Sequence, residues 1–555
     1  MSPTSTYSPL FLDIETTPVS HSTQYPDFVV ATIAWGDQEP WLVDLATLRT
    51  AVQFAPGPVV GHNLGFDVAV AELPLHKQYH DTAIRAVIAG AAEGDPAAQD
   101  SSLARLARRL GLDLHGKGTT QLSFRPGVPL TEEQERYAKQ DVVATRAVWK
   151  AQGGEQRRPD EERQTQLSHH IFQMARAGVH IDVPRLRGEI ARLLELRGQC
   201  RDELKEAGLI EPRGPKKEPW REEAVATVKV QERLKAAGVS VQTQGGLLAS
   251  DEATLRHTKD PVLVKLAQMR ALDKMRSLYE SFDVGGEVVR ARWKPMVATG
   301  RVACAEPNLT NIPRVGGLRE CVVPRTGCVL IAADYPALEM RTWAQVCHTW
   351  LGRSTLLRLW EEGKDPHWAT AASILHVSYQ EALAHPKGRA IRQVAKALNF
   401  GLPGGMGAER LRSHLLETTG TDPGRWGSER LRSAWFKAYP EAADYFAYIR
   451  DRDYQTALPW SGRVRKALYS EAANYPFQGT GSDVAKEALR LAHEAGLQVI
   501  ALIHDELLVE AREADAEGAS LALTQAMTKA GRLVCPDVPW EGIGVSVYPE
   551  RWGSK

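Results

Sequence analysis

Features that would assign this chain at once to one class of protein are scarce in its sequence. Its six cysteines form no CxxC pair and have no histidine-rich partner set, which favours buried, reduced thiols over a structural zinc. No apolar run approaches ~20 residues and no basic-then-apolar leader opens the chain, so we expect a soluble, cytoplasmic protein that does not contact a membrane. Internal repeats and low-complexity tracts are absent as well.

The sequence also lacks an excess of basic charge. Lys+Arg and Asp+Glu both number 68, so the net charge does not indicate a nucleic-acid partner. The charges are unevenly distributed, however, because no acidic residue occurs between Ala382 and Ala408. A basic face can therefore form locally. With 555 residues and 43% hydrophobic content, the chain is long and apolar enough for several globular domains.

The most informative stretch is Ala501–Glu510, Ala-Leu-Ile-His-Asp-Glu-Leu-Leu-Val-Glu. Its apolar runs flank His504-Asp505-Glu506 and predict two short strands joined by a tight polar turn. Two adjacent carboxylates at such a tip repel each other, and a divalent cation would remove the repulsion. Oxygen ligands suit Mg²⁺ or Mn²⁺. An acidic hairpin turn without a metal is the alternative, and the metal hypothesis needs a second carboxylate from elsewhere.

The stretch Val329–Arg341 supplies that second carboxylate. An apolar strand ends at Asp334, and Pro336 is expected in the first turn of a helix that carries Glu339. Asp334 and Asp505 lie side by side if their strands are neighbours. Two metals held about 4 Å apart by such aspartates support in-line phosphoryl transfer.

Four further carboxylates occur in three separate stretches of the first 150 residues. Asp13 and Glu15 are two apart on a predicted strand and therefore point the same way. Asp67 follows an apolar strand, and Asp141 lies one helical turn after Tyr137. Each acid alone is typical of a solvated surface, whereas four carboxylates together can bind two metals.

A helix with a basic face is predicted within residues 389–405. Arg392, Lys396 and Phe400 fall at i, i+4 and i+8 and share one side of it. Two cations one turn apart repel each other, which suits the binding of a triphosphate better than packing. A solvated basic face with Phe400 buried separately is the alternative.

Together these stretches resemble the family A DNA polymerases, the group typified by bacterial DNA polymerase I. The helix with Arg392, Lys396 and Phe400 has the family's RxxxKxxNFG pattern. The stretches that are similar to family motifs, in the family's order, are Thr299–Arg301, Pro307–Pro313, Asp334–Arg341, Arg392–Gly401, Asn474–Asp483 and His504–Glu506.

The first 150 residues resemble the DnaQ-like 3′–5′ exonucleases, which proofread. The similarity lies in the DxE, NxxxD and YxxxD motifs, here Asp13-Ile14-Glu15, Asn63 with Asp67, and Tyr137 with Asp141. It implies that these carboxylates hold two metals, one of which lowers the pKa of an attacking water. It also implies that Tyr137 orients this water.

For the whole chain, the resemblance implies a ribonuclease-H-like α/β exonuclease domain followed by an α+β right-hand polymerase domain. The layout is similar to that of bacteriophage enzymes. The expected boundaries are an exonuclease domain at residues 1–152, a linker at 153–166, a thumb at 167–290, palm segments at 291–344 and 456–555, and fingers at 345–455.

The resemblance also implies a role for each motif residue. Two Mg²⁺ or Mn²⁺ ions per site would be held by Asp334 and Asp505 in one site and by Asp13, Glu15, Asp67 and Asp141 in the other. The expected polymerase residues are Asp334, Asp505, Glu506 and Lys396 for catalysis, Tyr335, Glu339, His367, Arg392, Lys396 and Phe400 for the nucleotide, and Arg301, Asn474, Gln478 and His504 for DNA.

The implied function is template-directed addition of dNTPs to a primer 3′-hydroxyl with 3′–5′ proofreading. The expected partners of this monomer are primer–template DNA and dNTPs, in the cytoplasm, or in the host cytoplasm if a phage encodes it. One alternative is a 3′–5′ exonuclease whose polymerase half only binds DNA, or is weak or specialised for repair or translesion synthesis. A single-subunit RNA polymerase is another, which Glu339 opposes.

The chain departs from the family pattern at two places beside the expected insertion site. Pro336-Ala337 replaces the usual Ser-Gln, and Gly404 replaces the usual Tyr. We expect these changes to leave a roomier pocket for the nascent base pair, so that the chain misinserts more readily and Gly404→Tyr partly restores selectivity. The alternative is that a nearby aromatic such as Tyr475 fills the gap.

Overall fold

The computed structural model describes residues 8–18, 25–95, 100–116, 118–212, 223–239 and 246–553. The elements of its first part are β1 (Leu10–Thr16), β2 (Phe28–Trp35), β3 (Trp41–Val43), α1 (Leu45–Gln53), β4 (Val59–Gly61), α2 (Leu64–Ala71), β5 (Tyr79–Asp81), α3 (Thr82–Glu93), α4 (Leu103–Arg109) and α5 (Glu132–Ala151). The strands form one five-stranded sheet in the order β3-β2-β1-β4-β5.

The central strand of this sheet is β1, which pairs antiparallel with β2 and parallel with β4. Its Leu12 and Ile14 face one apolar core, and Phe11 packs on the opposite side against Trp149 of α5, ring centroids 5.4 Å apart. Because successive side chains alternate, Asp13 and Glu15 share the side of Phe11 and therefore face α5. The helix α5 begins at a capping box, in which the side chains of the N-cap Thr131 and of Gln134 each bind the other residue's backbone.

The next segment contains α6 (Glu161–Ala177) and β6 (Val179–Ile181). The prediction of a linker is wrong for residues 161–166, because they form the first turns of α6 and Glu161, Gln164 and Thr165 are buried. The Arg85 guanidinium lies 2.7 Å from the Glu161 carboxylate. Residues 153–166 are rich in charged side chains, and those of Asp160 and Glu161 pair with arginines inside the protein.

A helical arm with its own apolar core follows. Its elements are α7 (Val183–Glu206), β7 (Ile210–Pro212), β8 (Glu223–Val225), α8 (Thr227–Ala236), α9 (Glu252–Arg256) and α10 (Pro261–Glu280). The core contains Leu204, Leu234 and Leu263. The helix α10 begins at the N-cap Asp260, whose side chain accepts two backbone amides.

Five short strands lead the chain back to the body of the molecule. They are β9 (Val288–Val289), β10 (Arg292–Lys294), β11 (Ala303–Ala305), β12 (Val322–Val323) and β13 (Cys328–Asp334). β6 lies between β12 and β9 in a three-stranded sheet, and α6 packs against α2. Both ends of the segment expected to form the thumb therefore pack outside the helical arm: α6 contacts α2, and β9 pairs with β6.

A block of helices follows β13, namely α11 (Leu338–Leu351), α12 (Thr355–Glu361), α13 (Pro366–Leu375), α14 (Tyr379–Ala384), α15 (Gly388–Gly401), α16 (Ala408–Thr419), α17 (Gly424–Ala438) and α18 (Glu441–Arg450). Buried aromatic rings hold it together, including Trp343 and Trp435 at a centroid distance of 5.8 Å. The Trp435 indole donates to Asn399 Oδ1 at 3.1 Å, which fixes α15 against α17.

The last part contains β14 (Gln455–Ala457), β15 (Val464–Lys466), α19 (Tyr469–Glu494), β16 (Gln498–Ile503), β17 (Glu506–Arg512), α20 (Ala516–Val534) and β18 (Gly544–Tyr548). The strands β16, β17, β13 and β18 form an antiparallel sheet in that order. β13 therefore lies beside β17, as the predicted proximity of Asp334 and Asp505 requires.

Two expectations about what the chain lacks can be compared with the structure. All six cysteines lie among the described residues and none is joined in a disulfide; five of them are buried, whereas Cys328 is only partly buried. Within the described ranges, no helix is both long enough and apolar enough to cross a membrane.

Candidate active sites

One end of the four-stranded sheet brings together three of the predicted acidic residues. Asp334, the last residue of β13, pairs across the sheet with Glu506, the first residue of β17. Between β16 and β17 lie only Asp505 and His504, which is exposed and has a left-handed backbone with a φ of 58°. The Tyr335 amide donates to the Asp505 carbonyl at 3.3 Å. Asp334 and Asp505 are neighbours, as predicted.

Burial and mutual repulsion destabilise the charged form of these acids. Burial, followed by the Asp334 charge, raises the pKa of Asp505 to about 7. Asp334 Oδ1 is buried and accepts no hydrogen bond from any residue that the structure describes. A cation would stabilise the charged forms of Asp334 and Asp505, and carboxylate oxygens suit Mg²⁺ or Mn²⁺. The residues therefore fit the predicted metal.

Two arginines that the sequence did not single out face the same acids. Arg314 Nη2 lies 3.4 Å from Asp334 Oδ2, and Arg319 Nη1 lies 3.6 Å from Glu506 Oε2. The Arg319 guanidinium also stacks over the Trp552 ring at 4.0 Å. Burial raises the pKa of Glu506, whereas the Arg319 charge lowers it. The one available signal in the sequence was that both arginines follow closely after the motif at residues 307–313.

Tyr335 does not lie where the sequence predicted. Its side chain is 2% exposed, and its hydroxyl donates to the Met527 carbonyl at 2.7 Å. Strand alternation turns it away from Asp334 into the core, so its side chain offers almost no surface to a nucleotide in this structure. Pro336 also differs from the prediction, because α11 begins two residues later, at Leu338, and Pro336 lies before its first turn.

Glu339 and Arg301 form an ion pair beside this site. Arg301 Nη2 lies 2.5 Å from Glu339 Oε1, and both side chains are partly exposed. Glu339 belongs to the first turn of α11, which starts four residues after the end of β13. The residue expected to contact DNA and the residue expected to select the sugar therefore contact each other.

The predicted basic face of α15 is open to solvent in part. Lys396 is exposed and makes no ion pair with any described residue, and Phe400 is 39% exposed. Arg392 Nε donates to Asp365 Oδ2 at 3.1 Å. The His367 ring lies 5.9 Å from the Phe400 ring, and burial lowers the pKa of His367 to about 4, so the imidazole is neutral at pH 7.

Asn474 and Gln478 lie one turn apart on α19 and are both half-buried. Gln478 Nε2 donates to Asn474 Oδ1 at 3.3 Å. The Asn474 side chain fills the space beside Gly404 that we expected to be open. Tyr475, the aromatic alternative for this space, is buried and donates its hydroxyl to the Arg463 carbonyl at 2.9 Å.

A second acidic cluster forms where β1 faces α5. Asp13, Glu15 and Asp141 offer carboxylate oxygens that lie within 4.8 Å of one another. Tyr137, one turn before Asp141 on the same helix, is 3% exposed. Oxygen donors in this number and spacing fit Mg²⁺ or Mn²⁺.

The fourth predicted ligand, Asp67, is not part of this cluster. Its Oδ1 accepts the Ile14 amide at 3.0 Å, and burial, followed by the Asp13 charge, raises its pKa well above the usual range. Asp81, which the sequence did not suggest, is buried nearby and accepts the backbone amides of Asn63 and Leu64 at 3.0 and 2.9 Å. It therefore fixes the start of α2, the helix that carries Asp67.

Comparisons with known proteins agree with this architecture. The family model described as DNA polymerase family A matches residues 228–544, which is more than half of the chain. The solved POL domain of Pol1 from M. smegmatis, in complex with DNA primer-template and dNTP, has a similar fold, with a TM-score of 0.75 and 20% sequence identity. The similarity covers 99% of this chain and 96% of that one.

Curated relatives are bacterial enzymes. DNA polymerase I of Aquifex aeolicus is 29% identical over 329 residues, which cover 56% of this chain and 54% of the relative. The thermostable DNA polymerase I of Thermus thermophilus is 32% identical over 332 residues, covering 55% of this chain and 38% of the relative. The match thus spans about half, or less, of the length of these relatives. On the extent of the family match and the polymerase fold, the chain belongs to DNA polymerase family A.

Proposed function

We propose that this chain is a DNA-directed DNA polymerase that adds deoxynucleotides to the 3′-hydroxyl of a primer on a DNA template. The observation that carries this proposal is the juxtaposition of Asp334 and Asp505 at the end of two paired strands. The helix α15, with its exposed Lys396, belongs to the same block as α11, which starts next to these acids. A nucleotidyl transfer needs such a metal-binding pair of acids together with cations for a triphosphate.

The two aspartates are the proposed holders of two Mg²⁺ or Mn²⁺ ions. Metals of this kind activate the attacking hydroxyl and neutralise charge on the reacting phosphate. Glu506 is oriented by Arg319 and remains beside Asp334. Arg314, which is largely exposed and only 3.4 Å from Asp334, can keep the aspartate paired until a substrate enters.

The residues of α15 and its neighbours supply the proposed nucleotide site. Lys396 provides a point charge for phosphate, and Arg392 can exchange its bond to Asp365 for a bidentate bond to phosphate. Phe400 offers an exposed aromatic face for the sugar and base. The pair Arg301–Glu339 lies at the start of α11, where Glu339 would crowd a ribose 2′-hydroxyl.

We also propose that the N-terminal domain is a ribonuclease-H-like 3′–5′ exonuclease that removes misinserted nucleotides. The clustering of Asp13, Glu15 and Asp141 within 4.8 Å supports this second activity. We propose that Tyr137 orients a water and that Asp67, which accepts the Ile14 amide, holds β1 in position beside the cluster. The central antiparallel-then-parallel order of the sheet is compatible with such a domain.

The first test is primer extension on a DNA template, with dNTPs and with rNTPs, in Mg²⁺ and in Mn²⁺. We expect extension with dNTPs and strong discrimination against rNTPs. Preferential use of rNTPs would indicate an RNA polymerase. Absence of any extension by folded protein would contradict the polymerase proposal, and degradation of single-stranded 3′ ends in the same preparation would then leave a nuclease that binds DNA.

A further inference from the structure

An unusually close approach joins the end of α15 to α19. The helix α15 continues into a 3₁₀ turn at Leu402–Gly404, and Gly404 is buried there. A Cβ atom at Gly404 would lie 2.4 Å from Asn474 Oδ1, 2.8 Å from Nδ2 and 2.9 Å from Cγ. Real Cβ atoms do not approach other atoms this closely, so any side chain at this position requires the Asn474 amide to shift.

Backbone conformation does not account for glycine at this position. The φ of Gly404 lies outside the left-handed range, whereas the following Gly405 has a φ of 78° and ends the turn. The atoms in conflict belong to the end of the short Asn474 side chain. A larger residue at 404 would therefore displace the Asn474 amide before it displaced any backbone.

The Asn474 amide is held in place from three sides. Its Nδ2 donates to the Ser470 carbonyl at 2.7 Å and lies 3.5 Å from the Gly404 carbonyl, and its Oδ1 accepts Gln478 Nε2 at 3.3 Å. Any displacement of Asn474 therefore removes the partner of Gln478. Both amides are half-buried and retain an accessible side.

We propose that Gly404 is a positioning residue for the Asn474–Gln478 pair, because the Asn474 amide occupies the space that a side chain at 404 would fill. It links the end of α15, which carries Arg392, Lys396 and Phe400, to the amides expected at the primer terminus. This inference rests on the proposed polymerase function. Movement of α15 against α19 changes the room available to Asn474, so the orientation of the amide pair depends on the position of the nucleotide-binding helix.

The same contact changes the expectation for Gly404→Tyr. A tyrosine here would have to displace Asn474, so its effect on selectivity would combine a new aromatic contact with the loss of an amide. Alanine is therefore the cleaner probe, because it introduces only the Cβ that conflicts with Asn474. Gly407→Ala is the matched control, since Gly407 has a φ of −73° and no atom near the position of its Cβ.

The kinetic test is a double-mutant cycle of Gly404→Ala and Asn474→Ala in a background with Asp13→Ala and Glu15→Ala. Single-nucleotide kcat/KM is measured on matched and mismatched primer termini. We expect each single variant to lose about tenfold on matched termini and the double variant to lose no more than either. Gly407→Ala should behave as the parent. Losses that multiply in the double variant, or no loss in Gly404→Ala, would overturn the inference.

The second measurement does not depend on activity. Thermal unfolding of the same proteins should show that Gly404→Ala lowers the melting temperature and that Asn474→Ala removes most of this effect. An equal decrease with Asn474 and with Asn474→Ala would mean that the Cβ conflicts with something other than Asn474, which contradicts the proposed role of Gly404. If the parent extends no primer while this stability coupling is present, the proposed function fails but the contact stands.

Discussion

At the scale of single residues, the most consequential feature is the raised pKa of Asp505, about 7. In the folded, metal-free protein this carboxyl keeps its proton up to neutral pH, whereas in the unfolded chain it loses the proton near pH 4. The folded state therefore binds more protons between these values, and the stability contributed by Asp505 falls as the pH rises through about 7.

This predicts that Asp505→Asn stabilises the metal-free protein above pH 7 by about 4 kcal/mol, with the difference from the parent shrinking toward pH 4. Urea unfolding in EDTA across this pH range measures the effect. Asp202→Asn, at an exposed position on α7, serves as the control and should show no such trend. A constant difference between parent and Asp505→Asn at every pH would contradict the raised pKa.

A second prediction at this scale concerns Phe400 and the selection of the nucleotide's sugar. Phe400 is partly exposed on α15 and lies near the neutral His367. The resemblance to the family predicts that Phe400 disfavours dideoxynucleotides and that Phe400→Tyr places a hydroxyl where their 3′-hydroxyl is missing. We expect this variant to incorporate ddNTPs at least tenfold more readily, by about the energy of one hydrogen bond, while discrimination against rNTPs stays with Glu339. Unchanged ddNTP incorporation in competition assays would argue against this placement of Phe400.

At the scale of elements, the sequence was most informative where a local pattern, such as strand alternation or helical spacing, decides the structure. The strand alternation at Asp13 and Glu15 and the helix that carries Arg392 and Lys396 follow from such local rules, and both are observed. The proximity of Asp334 and Asp505 depended on which strands pair, which the sequence left conditional. Local patterns could not show that Tyr335 turns inward, because an apolar strand end is compatible with either side.

Contacts between distant segments were the least predictable from the sequence. The charged run before α6 resembles a linker, yet Glu161 and Asp160 are buried because arginines from elsewhere pair with them. Arg314 and Arg319 likewise became site residues only through folding. Asn474 fills the space at Gly404 for the same reason, since nothing in either stretch indicates the other.

A buried ion cluster joins three such segments. Arg463 is fully buried and pairs with Asp160 before α6 and with Asp483 of α19, the latter at 3.0 Å. The same guanidinium lies where a Cβ at Gly300 would be, which accounts for the glycine in the motif Thr299–Arg301. The cluster ties the segment before α6 to α19, the helix that packs against β16 of the four-stranded sheet.

We therefore predict that Arg463→Ala destabilises the protein by about 3–5 kcal/mol, because it removes one of the two arginines, with Arg163, that pair with the buried carboxylates of Asp160 and Asp483. Arg450→Ala, which removes an exposed arginine, should cost less than about 1 kcal/mol and is the matched control. Denaturant unfolding monitored by tryptophan fluorescence measures both. Equal, small effects would show that the cluster does not stabilise this junction.

At the scale of the whole molecule, two acidic sites lie in separate parts of one chain. Asp334, Asp505 and Glu506 belong to the four-stranded sheet, whereas Asp13, Glu15 and Asp141 belong to the five-stranded sheet and its helix α5. No carboxylate of one cluster is on an element of the other. The two proposed activities should therefore be separable by mutation.

The most direct test is the reciprocal pair of variants, Asp505→Ala and the double variant Asp13→Ala with Glu15→Ala, assayed for primer extension and for degradation of single-stranded 3′ ends. We predict that Asp505→Ala loses extension by at least about 10²-fold and still degrades DNA, and that the double variant shows the opposite pattern. Loss of both activities in either folded variant, or extension by Asp505→Ala at the parental rate, would contradict the two-site account.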